Sequence, residues 1–229
     1  MSIVKKYPAE VVSINNKVDE IYTVELKSLI SPFKYNPGQF LHLALDEYDP
    51  SSHWPESRCF SMQSSPDEKN IRITFATKGA YTKKMVKKLE IGSQVTLKLP
   101  YGDLFTQEHS KDNTIFIAGG TGITPFLSLF TNPSFKLYHQ PHLYFGMRNH
   151  DMNLYQNQLD SAMNINPGRS VTFVYEDAQG ILDIQRIHKE SSSSSYFFIS
   201  GPPIMITDFK NYLHSNGIAK EQIKTDEWE

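Results

Sequence analysis

The first hundred residues alternate apolar and polar positions in short runs. Ala9–Ile14, Ile21–Leu26 and Gln39–Leu45 show alternating or β-branched patterns, and Arg58–Met62, Ile71–Ala76 and Gln94–Leu99 add three shorter runs. Turn signals separate them: Asn15-Asn16, Asn36-Pro37-Gly38, Ser64-Ser65-Pro66 and Gly92. Six short strands at this spacing predict a small antiparallel barrel. One helix interrupts them, over Thr82–Leu89, with Met85, Val86 and Leu89 on one face and Lys83, Lys84, Lys87 and Lys88 elsewhere. The lysines read as a solvated helix face, or as a docking surface for an acidic partner.

After Tyr101-Gly102-Asp103 the pattern changes. The polar run 107–113 reads as a linker. Strands and helices then alternate: 114–118, 125–131, 142–145, 153–162, 171–175, 183–189, 196–200, 203–215 and a short strand near 222–225. This is the pattern of a parallel sheet wound by helices. The expected organisation is a barrel domain over 1–106 and an α/β domain over 107–229. Ser191–Ser195 reads as a flexible loop with no function assigned.

The densest chemistry lies in Thr114–Phe130. An apolar, β-branched strand runs into Gly119, Gly120 and Gly122, and Pro125 suits the first turn of a helix. Such a turn presents backbone N–H groups and a positive dipole end to a phosphate, or it is a tight connection that binds nothing. Neither G-x-G-x-x-G nor a Gly-Lys-Ser/Thr run is present. Lys78-Gly-Ala-Tyr-Thr82 is a second glycine turn, with Thr82 as an N-cap, and Ser200-Gly-Pro-Pro-Ile-Met205 is a third. Arg58-Cys-Phe-Ser61 offers a guanidinium, an aromatic ring and a hydroxyl on one strand. Alternation places Arg58 with Phe60 and Cys59 with Ser61. Taken bare, it is also an ordinary strand with a surface arginine.

Composition narrows the class. The chain has 229 residues, 39% hydrophobic and 21% charged, as in a globular protein. A net charge of −2 gives no basic footprint for nucleic acid. The single cysteine, Cys59, excludes an internal disulfide and a cysteine-ligated cluster or zinc site within the chain, and no metal site is expected. The N-terminal residues lack the apolar core of a signal peptide. The uncharged stretch 114–130 is too short and too glycine-rich to span a bilayer, so a cytoplasmic setting without a membrane span is expected.

In this order and spacing, these pieces resemble the ferredoxin–NADP⁺ reductase superfamily over nearly the whole chain. The matching residues are Pro37-Gly-Gln-Phe40, Arg58-Cys-Phe-Ser61 with Ser64-Ser65-Pro66, Gly79-Ala-Tyr-Thr82, Gly92, Tyr101-Gly102, Gly119-Gly-Thr-Gly-Ile-Thr-Pro125, Tyr144-Phe-Gly-Met-Arg148, Ser200-Gly-Pro-Pro-Ile-Met205 and the acidic-aromatic tail. Within it the chain is similar to stand-alone NAD(P)H:flavin and ferredoxin or oxygenase reductases that lack an iron–sulfur domain. The resemblance implies an FAD-binding barrel followed by an NAD(P)-binding α/β domain. It implies that Arg58 pairs with the flavin phosphates, that Phe60 packs on the isoalloxazine, and that Ser61 hydrogen-bonds flavin N5. Cys59 and the run Thr77, Lys78, Gly79, Ala80, Tyr81 and Thr82 would line the same cofactor, and Trp228 would cover its exposed face. Gly119, Gly120, Thr121, Gly122, Thr124, Pro125, Arg148, Glu176, Gly201, Pro202 and Met205 would hold the nicotinamide nucleotide. Ser61, Ser200 and Glu227 would be the catalytic positions. Relatives often carry tyrosine at the Phe60 position and cysteine at the Ser200 position.

Where relatives that prefer NADPH often carry a serine–arginine pair, this chain has Tyr175 and Glu176, then Asp177. Two carboxylates disfavour a 2′-phosphate, so NADH is the expected donor, with Arg148 the counterweight that leaves NADPH open. The expected function is an FAD-dependent NAD(P)H oxidoreductase passing electrons to a ferredoxin-like or oxygenase partner. An NAD(P)H:flavin reductase using free flavin is the alternative, and an electron-transfer or regulatory subunit, inactive alone, is a third. The Gly79–Thr82 turn and the 46–56 loop, with His53 and Trp54 able to stack on adenine, favour a held FAD; the loop also reads as ordinary surface.

Overall fold

The computed structural model describes residues 3–18 and 20–226. Two sheets organise them. The first is antiparallel and six-stranded: β1 (Lys5–Val18), β2 (Ile21–Ser28), β3 (Phe40–Ala44), β4 (Ser57–Ser61), β5 (Ile71–Ala76) and β6 (Gln94–Tyr101), with helix α1 (Ala80–Lys88) between the last two. Its strand order is β4-β3-β6-β1-β2-β5. The sheet curls, and its outer strands meet where Gln63 N donates to Arg72 O at 2.7 Å and Phe60 packs against Phe75. Alternation drives the curl: Tyr7, Ala9 and Val11 point inward with Val24, Leu26, Leu41, Leu43, Ile71 and Ile73.

The second sheet is parallel: β7 (Thr114–Gly119), β8 (His142–Met147), β9 (Ser170–Tyr175), β10 (Tyr196–Ser200) and β11 (Ile223–Thr225), in the order β11-β10-β7-β8-β9. Helices α2 (Thr124–Phe130), α3 (Gln156–Ile165), α4 (Glu176–Gln179), α5 (Ile184–Glu190) and α6 (Pro203–Ser215) surround it. β7 is covered on both faces: Phe116 and Ala118 enter one core, and Ile115 and Ile117 enter the other.

Several boundaries differ from expectation. β1 begins at Lys5 rather than Ala9 because its first half pairs with β6 from Lys5 to Glu10, and it runs on to Val18 against β2. The helix expected over 153–162 lies at Gln156–Ile165, because a 3-10 turn at His150–Met152 takes up the preceding residues. The serine run is no loose loop. Ser195 is buried, Ser192 N donates to Ser195 Oγ at 3.0 Å, and Gln222 Nε2 donates to the Ser193 and Ser195 carbonyls. In the polar run 107–113, His109 packs edge-on against Phe198 and bonds the Tyr138 hydroxyl at 2.7 Å.

The two sheets are joined through side chains. Ser128 Oγ donates to Ser64 O at 2.8 Å, and Asn132 Nδ2 donates to Ser65 Oγ and Asp67 Oδ2, both at 3.0 Å. Phe105 sits between Phe116, Phe126 and Phe198 on one side and Gly38 on the other, where any Cβ would overlap its ring. Among the described residues, no helix is long and apolar enough to cross a membrane.

Candidate active site

Two glycine turns, after β7 and after β10, meet, and their backbones touch. The β7 turn passes through Gly119 into a 3-10 turn, Gly120–Ile123, then directly into α2. A Cβ at Gly122 would lie 2.5 Å from the Gly201 backbone and 2.6 Å from Ser200 O. The β7 and β10 turns can therefore approach this closely only because both positions are glycine. Gly201 itself has φ +154°, and Met205 packs over Gly119 and Gly201. Gly120 has φ +54° with nothing within 4 Å of a built Cβ, so its backbone faces open space. Thr121 is half-buried. Thr124 and Pro125 are buried, and Thr124 Oγ1 donates to Thr121 O at 3.0 Å. These two shape the turn from beneath, which leaves Gly120 as its open part.

Ser200 ends β10, and Ser61 ends β4 in the other sheet. Both are buried. Their hydroxyls donate to one carboxylate oxygen, Asp226 Oδ2, at 3.3 Å from Ser200 and 3.2 Å from Ser61. The strand register explains the meeting: Ile199 stands opposite Thr225 in the β10–β11 pair, so Asp226 falls beside Ser200, and its N–H donates to Ile199 O. Asp226 was not among the sequence-predicted site residues. The signal was present, an acidic residue just past the last strand, but the partnership joins residues 26 apart for Ser200 and 165 apart for Ser61. The expected catalytic Glu227 and flavin-covering Trp228 lie outside the described residues.

A second cluster surrounds the start of α1. Arg58 is exposed, its guanidinium 4.9 Å from the centre of the Tyr81 ring, with Nη1 donating to Ser57 O and Nη2 3.4 Å from Glu56. Burial pushes the Tyr81 hydroxyl up to about 12 while it donates to Leu43 O at 2.7 Å, which anchors the ring beneath the arginine. The N-cap is Gly79, not Thr82. Thr82 is the third helical residue, and its hydroxyl reaches back to accept from Lys78 N and Gly79 N, each at 3.1 Å. Those two N–H groups are thus used within the turn. The first intrahelical bond runs from Lys83 N to Gly79 O, so Ala80, Tyr81 and Thr82 are the positions whose N–H groups lie before the helical ladder begins. Gly79 has nothing within 4 Å of a built Cβ.

These features fit the two expected nucleotides. An exposed guanidinium beside an open helix start suits one diphosphate, and an open glycine turn at the carboxyl end of the central parallel strand suits the other. The fit is weaker at Phe60, which is buried in the first core against Phe75. Cys59 is on the opposite face, its Sγ 3.6 Å from His42 Nε2. Burial pushes the Cys59 thiol up, with Arg58 opposing, and burial with the Lys98 charge pulls His42 down. Trp54 stands beside Tyr48 and donates to Ser57 Oγ at 2.9 Å. Two of the four lysines on α1 face acids of the same domain: Lys84 is 3.7 Å from Glu56, and Lys88 is 3.3 Å from Asp46. Arg148 and Glu176 lie at the far edge, where Asp177 N donates to Arg148 O. Thr77 lines a cavity with Arg148 rather than joining the Arg58 cluster.

Comparison with known proteins agrees with this arrangement. Residues 6–127 match the family described as FAD-binding domain, and residues 116–211 match that described as oxidoreductase NAD-binding domain. The chain is 24% identical over 233 residues to the reductase component of propane 2-monooxygenase from Mycolicibacterium goodii, covering 93% of this chain and 65% of the relative. It is 24% identical over 221 residues to the anthranilate 1,2-dioxygenase electron transfer component from Acinetobacter baylyi, covering 91% of this chain and 62% of that one. The chain thus spans just under two thirds of the length of these relatives. In structure it is similar to a ferredoxin NADP⁺ reductase from Neisseria gonorrhoeae, with TM-score 0.81 at 18% identity, covering 97% of this chain and 98% of that one. The chain belongs to the family described as FAD-binding domain, and its second half matches that described as oxidoreductase NAD-binding domain.

Proposed function

We propose that this chain is an NAD(P)H-dependent FAD oxidoreductase that passes electrons to an oxygenase or a ferredoxin-like carrier. The observation that carries the reading is Asp226, whose carboxylate joins Ser61 of the barrel to Ser200 of the α/β domain. That contact brings the ends of the two nucleotide-binding halves to one point. Bound FAD would supply the chemistry, accepting a hydride and releasing electrons one or two at a time. The chain's part is placement and polarity. Arg58 and the first turn of α1 would hold the flavin diphosphate. Gly119–Gly122 would hold the diphosphate of the nicotinamide nucleotide. Gly201, lacking a side chain, and Pro202 would let the nicotinamide approach, with Met205 packed behind. Ser61 and Ser200 are hydroxyls that can turn from Asp226 toward the reacting ring atoms. The carboxylate then fixes where those hydroxyl protons return.

Two features favour NADH over NADPH: Glu176 at the start of α4, and Asp177 beside it. The named relatives are a monooxygenase reductase component and a dioxygenase electron transfer component, which supports an oxygenase-type acceptor. Steady-state reduction of ferricyanide by NADH, using protein that has passed gel filtration, tests the reading. Flavin should co-elute and turnover should proceed without added flavin. A colourless protein that turns over only when free flavin is supplied would move the chain to the flavin-reductase reading.

A further inference from the structure

Strand β11 carries Asp226 to Ser61 and Ser200, yet it is the shortest strand of the parallel sheet and lies on its edge. Its ladder to β10 runs only from Ile223 to Thr225. Short edge elements open locally at little cost, so a group at their end needs a further tie to hold its place. Lys224 supplies one. It stands opposite Phe198, and alternation continued past the strand puts Lys224 and Asp226 on the same face. From there Lys224 Nζ donates to Gln107 Oε1 at 2.8 Å.

Gln107 is itself held from two sides. Its N–H donates to Asp103 O at 3.1 Å in the turn that follows β6, and Gln39 Nε2 donates to the neighbouring Gly102 O at 2.7 Å. Its carbonyl accepts from His109 Nδ1 at 2.7 Å. With that nitrogen carrying the proton, His109 Nε2 accepts from the Tyr138 hydroxyl, and the imidazole packs edge-on against Phe198. Gln39, Tyr138 and Phe198 are all buried. The acceptor that meets Lys224 is therefore fixed to the barrel through Gln39, and to the core of the parallel sheet through Tyr138 and Phe198.

We propose that Lys224 and Gln107 are positioning residues for the reductase site, and that their hydrogen bond clamps β11 so that the Asp226 carboxylate spans Ser61 and Ser200. Both act through Asp226 rather than on a nucleotide. The bond is exposed to solvent, so it sets the placement of one short strand and adds little to global stability. This inference rests on the oxidoreductase reading above, in which Asp226 serves the two hydroxyls.

Two measurements on the full chain test it. The first needs no nucleotide: amide hydrogen exchange at Asp226, whose N–H donates to Ile199 O at 3.0 Å. Lys224→Met keeps the apolar stem, and Gln107→Leu keeps the ammonium. Each should speed that exchange by about three- to tenfold, while Gln107→Glu, which keeps an acceptor, should hold it at the wild-type rate. The second is anaerobic flavin reduction by NADH in stopped-flow. Lys224→Met and Gln107→Leu should each lower the limiting rate by about three- to fivefold with NADH affinity unchanged, and Gln107→Glu should recover the rate lost in Gln107→Leu. In an Asp226→Ala background, Lys224→Met should slow reduction no further, because the route through the carboxylate is already gone. Wild-type exchange at Asp226 in Lys224→Met and Gln107→Leu overturns the proposal. So does a full further slowing by Lys224→Met in the Asp226→Ala background, or a Gln107→Glu variant as slow as Gln107→Leu. If Asp226→Ala slows reduction while Lys224→Met and Gln107→Leu reduce as wild type, only the positioning assignment fails. If NADH leaves the wild-type flavin spectrum untouched, the oxidoreductase reading fails and takes the proposal with it.

Discussion

Asp226 is the residue on which the two halves of the site depend. Replacing it with alanine removes the acceptor used by both Ser61 and Ser200. Net hydrogen bonds of this kind are worth about 1 kcal/mol each, so anaerobic reduction by NADH should slow about tenfold or more in stopped-flow, with flavin content unchanged. The glycines divide by environment. Gly120→Ala places a Cβ in open space at a positive φ, at about 1 kcal/mol of backbone strain, and should weaken NADH binding while flavin stays bound. Gly122→Ala instead forces a Cβ into the Gly201 backbone and should lower Tm as well as NADH affinity. Fluorescence titration with NADH and a thermal melt separate the two effects. The turns that carry these glycines were legible as sequence, because each is a glycine run at the end of an apolar strand, and so was the Arg-x-x-Ser strand. Asp226 was not legible, because its role comes from the β10–β11 register.

At the scale of elements, α1 matters most. Its start is where Arg58 stacks on Tyr81, and its body is set into the first core by Tyr81 and Met85. Arg58→Ala should lower flavin affinity by about ten- to a hundredfold, the range for charge-assisted phosphate contacts. The melting temperature of the flavin-free protein should barely move, since the arginine is exposed and its approach to Glu56 is long. Equilibrium dialysis of FAD together with a melt of the apoprotein checks both halves. The strands and helices were largely readable from alternation and from helical spacing. The errors fell at ends: β1 is long because it is shared by two partners, and α1 begins at Ala80 because Gly79, not Thr82, serves as its cap. The compact serine turn was hidden because Gln222, far along the chain, ties it down.

At the scale of the molecule, the domains meet through Phe105, Ser128 and Asn132 rather than through a flexible hinge alone. Acidification should weaken the whole. His42, His109 and His142 are each pulled below the usual 6.5, burial being the largest cause, so the unfolded chain binds more protons than the folded one. Stability should hold above about pH 6.5 and fall as the pH drops below it toward their depressed values, which melts between pH 5 and 7.5 would register. The succession of an antiparallel sheet and a parallel one was legible from the change in periodicity, but the contacts that lock the two together were not, because Gly38 and Phe105 are an ordinary turn and an ordinary aromatic until the sheets are placed. The central claim is that one chain holds a flavin within reach of a nicotinamide nucleotide. The direct test is an anaerobic absorbance spectrum of the purified protein before and after one equivalent of NADH. Flavin bands present beforehand and bleached afterwards are the predicted result; flavin bands that persist unchanged would contradict it.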